Sequence, residues 1–148
     1  MTYKETIDSI LNIANAHLFV ETTGYGNISD ISVPDNEEPP NYPYVFLNPI
    51  DCNLDRQAFE VNLNLIAMTQ VFDTESDELS GQDLMIQILS DIISEYTNKT
   101  DDPLFDIITP VSVTPFKERF SDDVVGATAA LTIRYGKAIN GCDTPFSS

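Results

Sequence analysis

The chain has 148 residues, 24 of them acidic and seven basic, for a formal net charge of −17. That length suits one compact domain, and no apolar run approaches the roughly 20 residues needed to cross a bilayer. A surface this acidic repels phosphate, which disfavours nonspecific grip on nucleic acid and attachment to anionic lipid.

The charge is unevenly placed. Residues 1–106 hold 20 acids and three bases, Lys4, Arg56 and Lys99. Residues 107–148 hold four of each, the bases being Lys117, Arg119, Arg134 and Lys137. The N-terminus lacks the basic-then-apolar pattern of a secretory signal. Cys52 and Cys142 read as two reduced thiols in a cytosolic setting, neither a disulfide framework nor a zinc site.

Thr2 and Glu5 have capping-box spacing. Ile7, Ile10, Leu11, Ala14 and Leu18 then recur at helical steps, so an amphipathic helix is predicted from about Tyr3 to His17. Phe19 to Thr23 reads as a strand broken by Gly24 and Gly26. Residues 24–43, rich in Pro and Gly and acidic at Asp35, Glu37 and Glu38, read as one long loop, a length that in a small domain tends to be functional or disordered.

Tyr44 to Leu47 reads as a short strand stopped by Asn48-Pro49. From about Gln57 to Gln70 the alternation is strict. Phe59, Val61, Leu63, Leu65 and Ala67 point one way; Glu60, Asn62, Asn64, Ile66 and Met68 point the other. Phe72 to Gln82 is polar, and a second helix is predicted to start at Ser80. Leu84, Ile88, Leu89, Ile92 and Tyr96 form its apolar stripe, Met85, Ile86 and Ile93 widen it, and Asp83 sits in its first turn. Ile107 to Val113 and Val124 to Tyr135 read as strands with a hairpin tip at Glu118 to Asp123, and Val125-Gly126-Ala127 as a bulge.

The expected fold is α+β, with two amphipathic helices packed on a mostly antiparallel sheet of about five strands, in a single domain over 1–148. Ile10, Leu11, Leu18, Leu63, Leu65, Ile88, Leu89, Ile92 and Ile133 are the expected core.

Chemistry-bearing motifs are scarce. His17 is the only histidine and has no second one at helical spacing, so it reads as a residue near a helix C-terminus. There is no nucleophile elbow, phosphate loop or dinucleotide fingerprint. Asp73, Glu75 and Asp77 imitate the start of a calcium loop, but Glu78 stands where glycine is needed and Leu84 where a carboxylate is needed. No metal, no cofactor and no enzymatic activity are therefore expected.

The most distinctive segment runs from Pro115 to Pro145. It contains Phe116-Lys117-Glu118-Arg119-Phe120-Ser121-Asp122-Asp123-Val124-Val125-Gly126 and ends in Asn140-Gly141-Cys142-Asp143-Thr144-Pro145. It resembles the C-terminal part of neck and tail completion proteins of tailed bacteriophages, especially crAss-like gut phages. The element order is similar to the tail-terminator fold. The resemblance implies a structural virion protein of the neck or tail, assembled in the host cytoplasm. Such a protein forms a homo-oligomeric ring, six-fold in terminators and twelve-fold in connectors, stacked on portal, connector or tail ring proteins. DNA passes through without specific binding, and no membrane is involved.

On that reading Phe116, Lys117, Glu118, Arg119 and Phe120 are one side of a candidate interface. The bases Lys117, Arg119, Arg134 and Lys137 are the complement to the acids at 35–38, or to Asp73, Glu75, Asp77 and Glu78, on a neighbour or on the next ring. The alternative is an acidic binding module, such as a DNA mimic occupying the basic groove of a nucleic-acid enzyme.

Overall fold

The computed structural model describes residues 3–27, 41–55, 58–71, 75–99, 106–119 and 123–135, with backbone alone at 75, 76, 99, 118, 119 and 123. The elements are α1 (Tyr3–Ala16), β1 (Thr22–Tyr25), β2 (Tyr44–Leu54), β3 (Phe59–Gln70), α2 (Glu75–Lys99), β4 (Asp106–Ile107), β5 (Ser112–Arg119) and β6 (Asp123–Tyr135). The fold is α+β, with two helices on a mixed sheet. Thr2 of the expected capping box, residues 28–40 of the expected loop, and Asp73, Phe120, Lys137 and Cys142 lie outside the described residues.

The sheet order is β1-β2-β3-β6-β4, with β5 also on β6. β3 occupies one side of β6 along Phe59↔Tyr135 to Gln70↔Val124. β4 and β5 therefore lie end to end along the other side, at Ile107↔Ile133 and then Ser112↔Ala130. Six strand segments thus fill five positions, and all ladders are antiparallel except β1 on β2.

Side chains alternate across a strand, so β3 and β6 each offer two faces. One face carries both helices. Val61, Leu63, Leu65 and Ala67 of β3 and Ala127, Ala129, Leu131, Ile133 and Tyr135 of β6 meet Ile7, Ile10 and Ala14 of α1 there. Met85, Ile88, Leu89, Ile92 and Tyr96 of α2 complete that core. The opposite face has a smaller cluster of Phe46, Ile66, Met68 and Val124, with Tyr42, Tyr44 and Phe116 against it. The expected β3 alternation is what the register delivers, including the turn to apolar at Ile66 and Met68.

Several sequence expectations are corrected. Leu18 is not core: it is 92% exposed, because α1 ends at Ala16 and the turn after it breaks the helical step from Ala14. Leu84 is 37% exposed, and Met85, which lies between the other stripe residues, is fully buried in its place. Leu11 packs against the core from a partly buried position. α2 begins at Glu75, five residues early, so Asp77 and Glu78 occupy the first turn, where the helix dipole favours anions. Asp83 lies further along, accepting a hydrogen bond from Gln87 Nε2 at 2.9 Å.

Strand limits move for similar reasons. Gly24 belongs to β1 rather than to a loop, while Phe19 precedes the strand. β2 continues through Asn48-Pro49 to Leu54, with its irregularity between Pro49 and Asp51. β1 reaches only as far as Tyr25↔Leu47. Beyond that point no other described strand pairs with that side of β2, and a proline without an N–H is tolerated where no ladder bond is required. No bulge occurs at Gly126, where both ladders run in unbroken register. Its lack of a side chain serves close approach instead, since a Cβ there would lie 2.1 Å from the Ala67 carbonyl oxygen and 2.9 Å from Phe116 Cζ.

Candidate functional site

β5 and β6 pair as a hairpin with Arg119 opposite Asp123, but the expected strand over Ile107 to Val113 is divided between β4 and β5, and Glu118, Arg119 and Asp123, expected in the tip, belong to the strands because the ladder continues to them. Phe116 faces the sheet side away from the helices and packs half-buried on the cluster of Phe46, Ile66, Met68 and Val124. Lys117, the next residue, faces the helices. Its Nζ lies 2.6 Å from Glu78 Oε1 on the first turn of α2. Gln82 Nε2, one turn on, donates to the Phe116 carbonyl at 3.1 Å. The complement expected on a neighbour is therefore partly supplied within the chain.

Of the other residues expected at that interface, Glu118 and Arg119 are placed by backbone alone at the end of β5. Glu75 is placed likewise in the first turn of α2, with Asp77 exposed beside it. From Glu75 onward the backbone is helical, not the loop that a calcium site at this spacing requires. Among the described residues, no three His, Cys, Asp or Glu side chains gather as a metal site would.

The lysine and arginine side chains that the structure describes share one pattern. Lys4 pairs with Asp8 at 2.6 Å, Lys117 with Glu78, and Arg134 with Glu60 across the β3–β6 ladder, its Nε donating at 2.7 Å. Beside the last pair runs a polar row on the helix-free face. Thr132 Oγ1 donates to Asn62 Oδ1, and Asn62 Nδ2 donates to Asp51 Oδ1, both at 2.6 Å.

A second constellation escaped sequence reasoning. The turn after α1 and the middle of α2 enclose a groove of about 450 Å3, lined by Ile13, Ala16, Phe19, Ile92 and Glu95 with His17 and Asp91 at its wall. His17 Nδ1 accepts the Phe19 backbone N–H at 3.1 Å. That leaves the proton on Nε2, which donates to Asp91 Oδ2 at 2.9 Å. Both ring nitrogens are engaged, so the imidazole has no lone pair to offer as a general base. The pair acts as a strut between the turn and α2. Its partners lie 74 residues apart in sequence, and no local spacing signals them.

Cys52 is exposed on β2. Partial burial, and then the neighbouring Asp51 carboxylate, push its thiol up, away from the thiolate that nucleophilic chemistry needs. No helix among the described residues is long and apolar enough to cross a membrane. No protein-family model matches the chain, and no curated protein is significantly similar to it in sequence.

Proposed function

We propose that this chain is a structural subunit of a ring in the neck or tail of a tailed bacteriophage, joining or closing the passage for DNA between head and tail. The observation that carries the reading is the pair of unlike edges on one sheet. β1 and the β4–β5 line each have a neighbour on one side only, among the described residues, and they stand at opposite ends of the strand order. Closed rings use head-to-tail contacts in which two different patches meet. Unpaired backbone along an edge strand is a ready template for such a contact.

The part of β5 from Pro115 to Arg119 also lies in the Pro115–Pro145 segment that carries the resemblance to neck and tail completion proteins. The acidic excess suits a channel that DNA must traverse without sticking. The ring reading places the protein in the virion, next to portal, connector or tail rings, with no catalytic role.

Light scattering coupled to size exclusion, followed by electron microscopy, tests it. A closed oligomer with a central opening is expected at high protein concentration. A monomer or dimer at every concentration overturns it and favours the acidic-mimic alternative.

A further inference from the structure

The groove between α1 and α2 has an unusual rim. Leu18 is 92% exposed and Phe19 59% exposed, side by side at its mouth. Fully buried Ile92 and partly buried Ile13 lie at its floor and side. The strut described above fixes this geometry. The Phe19 N–H is tied to His17 Nδ1 and the imidazole is tied to Asp91, so the Leu18–Phe19 pair is held in place rather than left to fold back on the core.

The charge at the rim has one sign. Two carboxylates, Asp91 and Glu95, line the groove, and among the described residues no lysine or arginine does. Asp91 commits only Oδ2 to His17, and its side chain remains 63% exposed. An apolar slot flanked by carboxylates complements an apolar anchor flanked by ammonium or guanidinium groups.

We propose that this groove docks a basic amphipathic segment of a different protein. An aliphatic or aromatic side chain of that segment fills the slot between Phe19 and Ile92, and its lysines or arginines meet Asp91 and Glu95. A second copy of this chain is the poorer occupant. Among the described residues, the basic side chains of Lys4, Lys117 and Arg134 are already paired with acids of their own chain, which leaves none of them to meet Asp91 and Glu95 of a neighbouring copy. The proposal is independent of the ring reading, since it concerns the helix layer and not the sheet edges.

The test uses the full chain and a fluorescein-labelled amphipathic helix-forming peptide of leucine and lysine, with its leucine–glutamate counterpart as a control. Fluorescence anisotropy is read at two salt concentrations. Saturable binding of the lysine peptide is expected. The double variant Leu18→Ser, Phe19→Ser should weaken it by roughly tenfold, as loss of a buried anchor does. Asp91→Asn with Glu95→Gln should weaken it and flatten its salt dependence, while the new amide oxygen can still accept from His17. Asp51→Asn with Asp106→Asn removes the same charge from β2 and β4, outside the groove lining, and should change affinity by about twofold or less, because salt screens exposed charges that make no direct contact.

Equal weakening by the remote pair would mean bulk attraction and overturn the proposal. So would equal binding of the glutamate peptide, absence of saturable binding, or self-association without peptide that depends on Leu18 and Phe19. Thermal melts of each variant separate loss of fold from loss of docking. Light scattering on the same variants reads ring formation independently of peptide binding.

Discussion

The ring of Phe116 on β5 lies over Gly126 on β6, its directly opposed partner in the ladder. A methyl group at position 126 would come within 2.9 Å of Phe116 Cζ and 2.1 Å of the Ala67 carbonyl oxygen. The aromatic ring can swing aside; the β3 backbone cannot. Gly126→Ala is expected to cost about 1–3 kcal/mol or more, the range for overpacking. Restoring space with Phe116→Ala should recover little of it, because the carbonyl is the harder obstacle. Urea unfolding of the single and double variants checks this.

Leu89 and Leu18 are a matched contrast. Leu89 has no exposure, and Leu18 is 92% exposed. Leu89→Ala should cost about 2–5 kcal/mol, and Leu18→Ala should fall within about 0.5 kcal/mol of the parent. Denaturation midpoints at a common slope measure both.

The Lys117–Glu78 bridge joins the hairpin to the start of α2 at 2.6 Å, with side chains 48% and 28% exposed. Such a pair is worth about 1 kcal/mol or less. Lys117→Glu should destabilise modestly, and more at low salt, where like charges on neighbouring elements are least screened. Adding Glu78→Lys should return most of the loss. A double-mutant cycle at two salt concentrations reads the coupling directly.

Three phenols set the alkaline limit. Burial, then a hydrogen bond with Tyr25, pushes Tyr3 up to about 12. Burial likewise raises Tyr96 and Tyr135 above the ordinary tyrosine value. A phenol raised in the folded state stays protonated there while the unfolded chain ionises. The unfolded state then binds fewer protons, and stability falls as pH rises. The contribution is intact below about 10; that of Tyr3 drains between about 10 and 12, and those of Tyr96 and Tyr135 drain from about 10 upward. Circular dichroism across that window should show unfolding, with tyrosinate absorbance rising together with it. Tyr96→Phe should move the midpoint to higher pH.

Periodic elements were legible in the sequence and pairings between them were not. The alternation of β3 is written in Val61, Leu63 and Leu65 against Glu60, Asn62 and Asn64, because a strand buried on one face has no other way to be patterned. The α2 stripe is equally plain at Ile88, Leu89, Ile92 and Tyr96. Leu18 misleads because helical spacing continues in the letters past the point where the helix stops. Residues 75–79 mislead in the opposite direction, since an acidic run looks like a loop although the first turn of a helix welcomes anions. The candidate surfaces depend on Lys117 meeting Glu78 and His17 meeting Asp91. Those are long-range encounters that the sheet and the helix layer create, and neither leaves a local trace.

The central ladder has a kinetic consequence. β3 and β6 sit side by side through twelve consecutive pairs, yet Phe59 and Tyr135, the pair at one end, are separated by α2, β4 and β5 in the chain. Closing that loop costs chain entropy before any pair rewards it. The protein should therefore collapse quickly and acquire its native strand order slowly, as chains dominated by distant contacts do. Among the described strands, β1, four residues long and paired on one side, should exchange its amide protons early, and the middle of β3, held from both sides, should release them last.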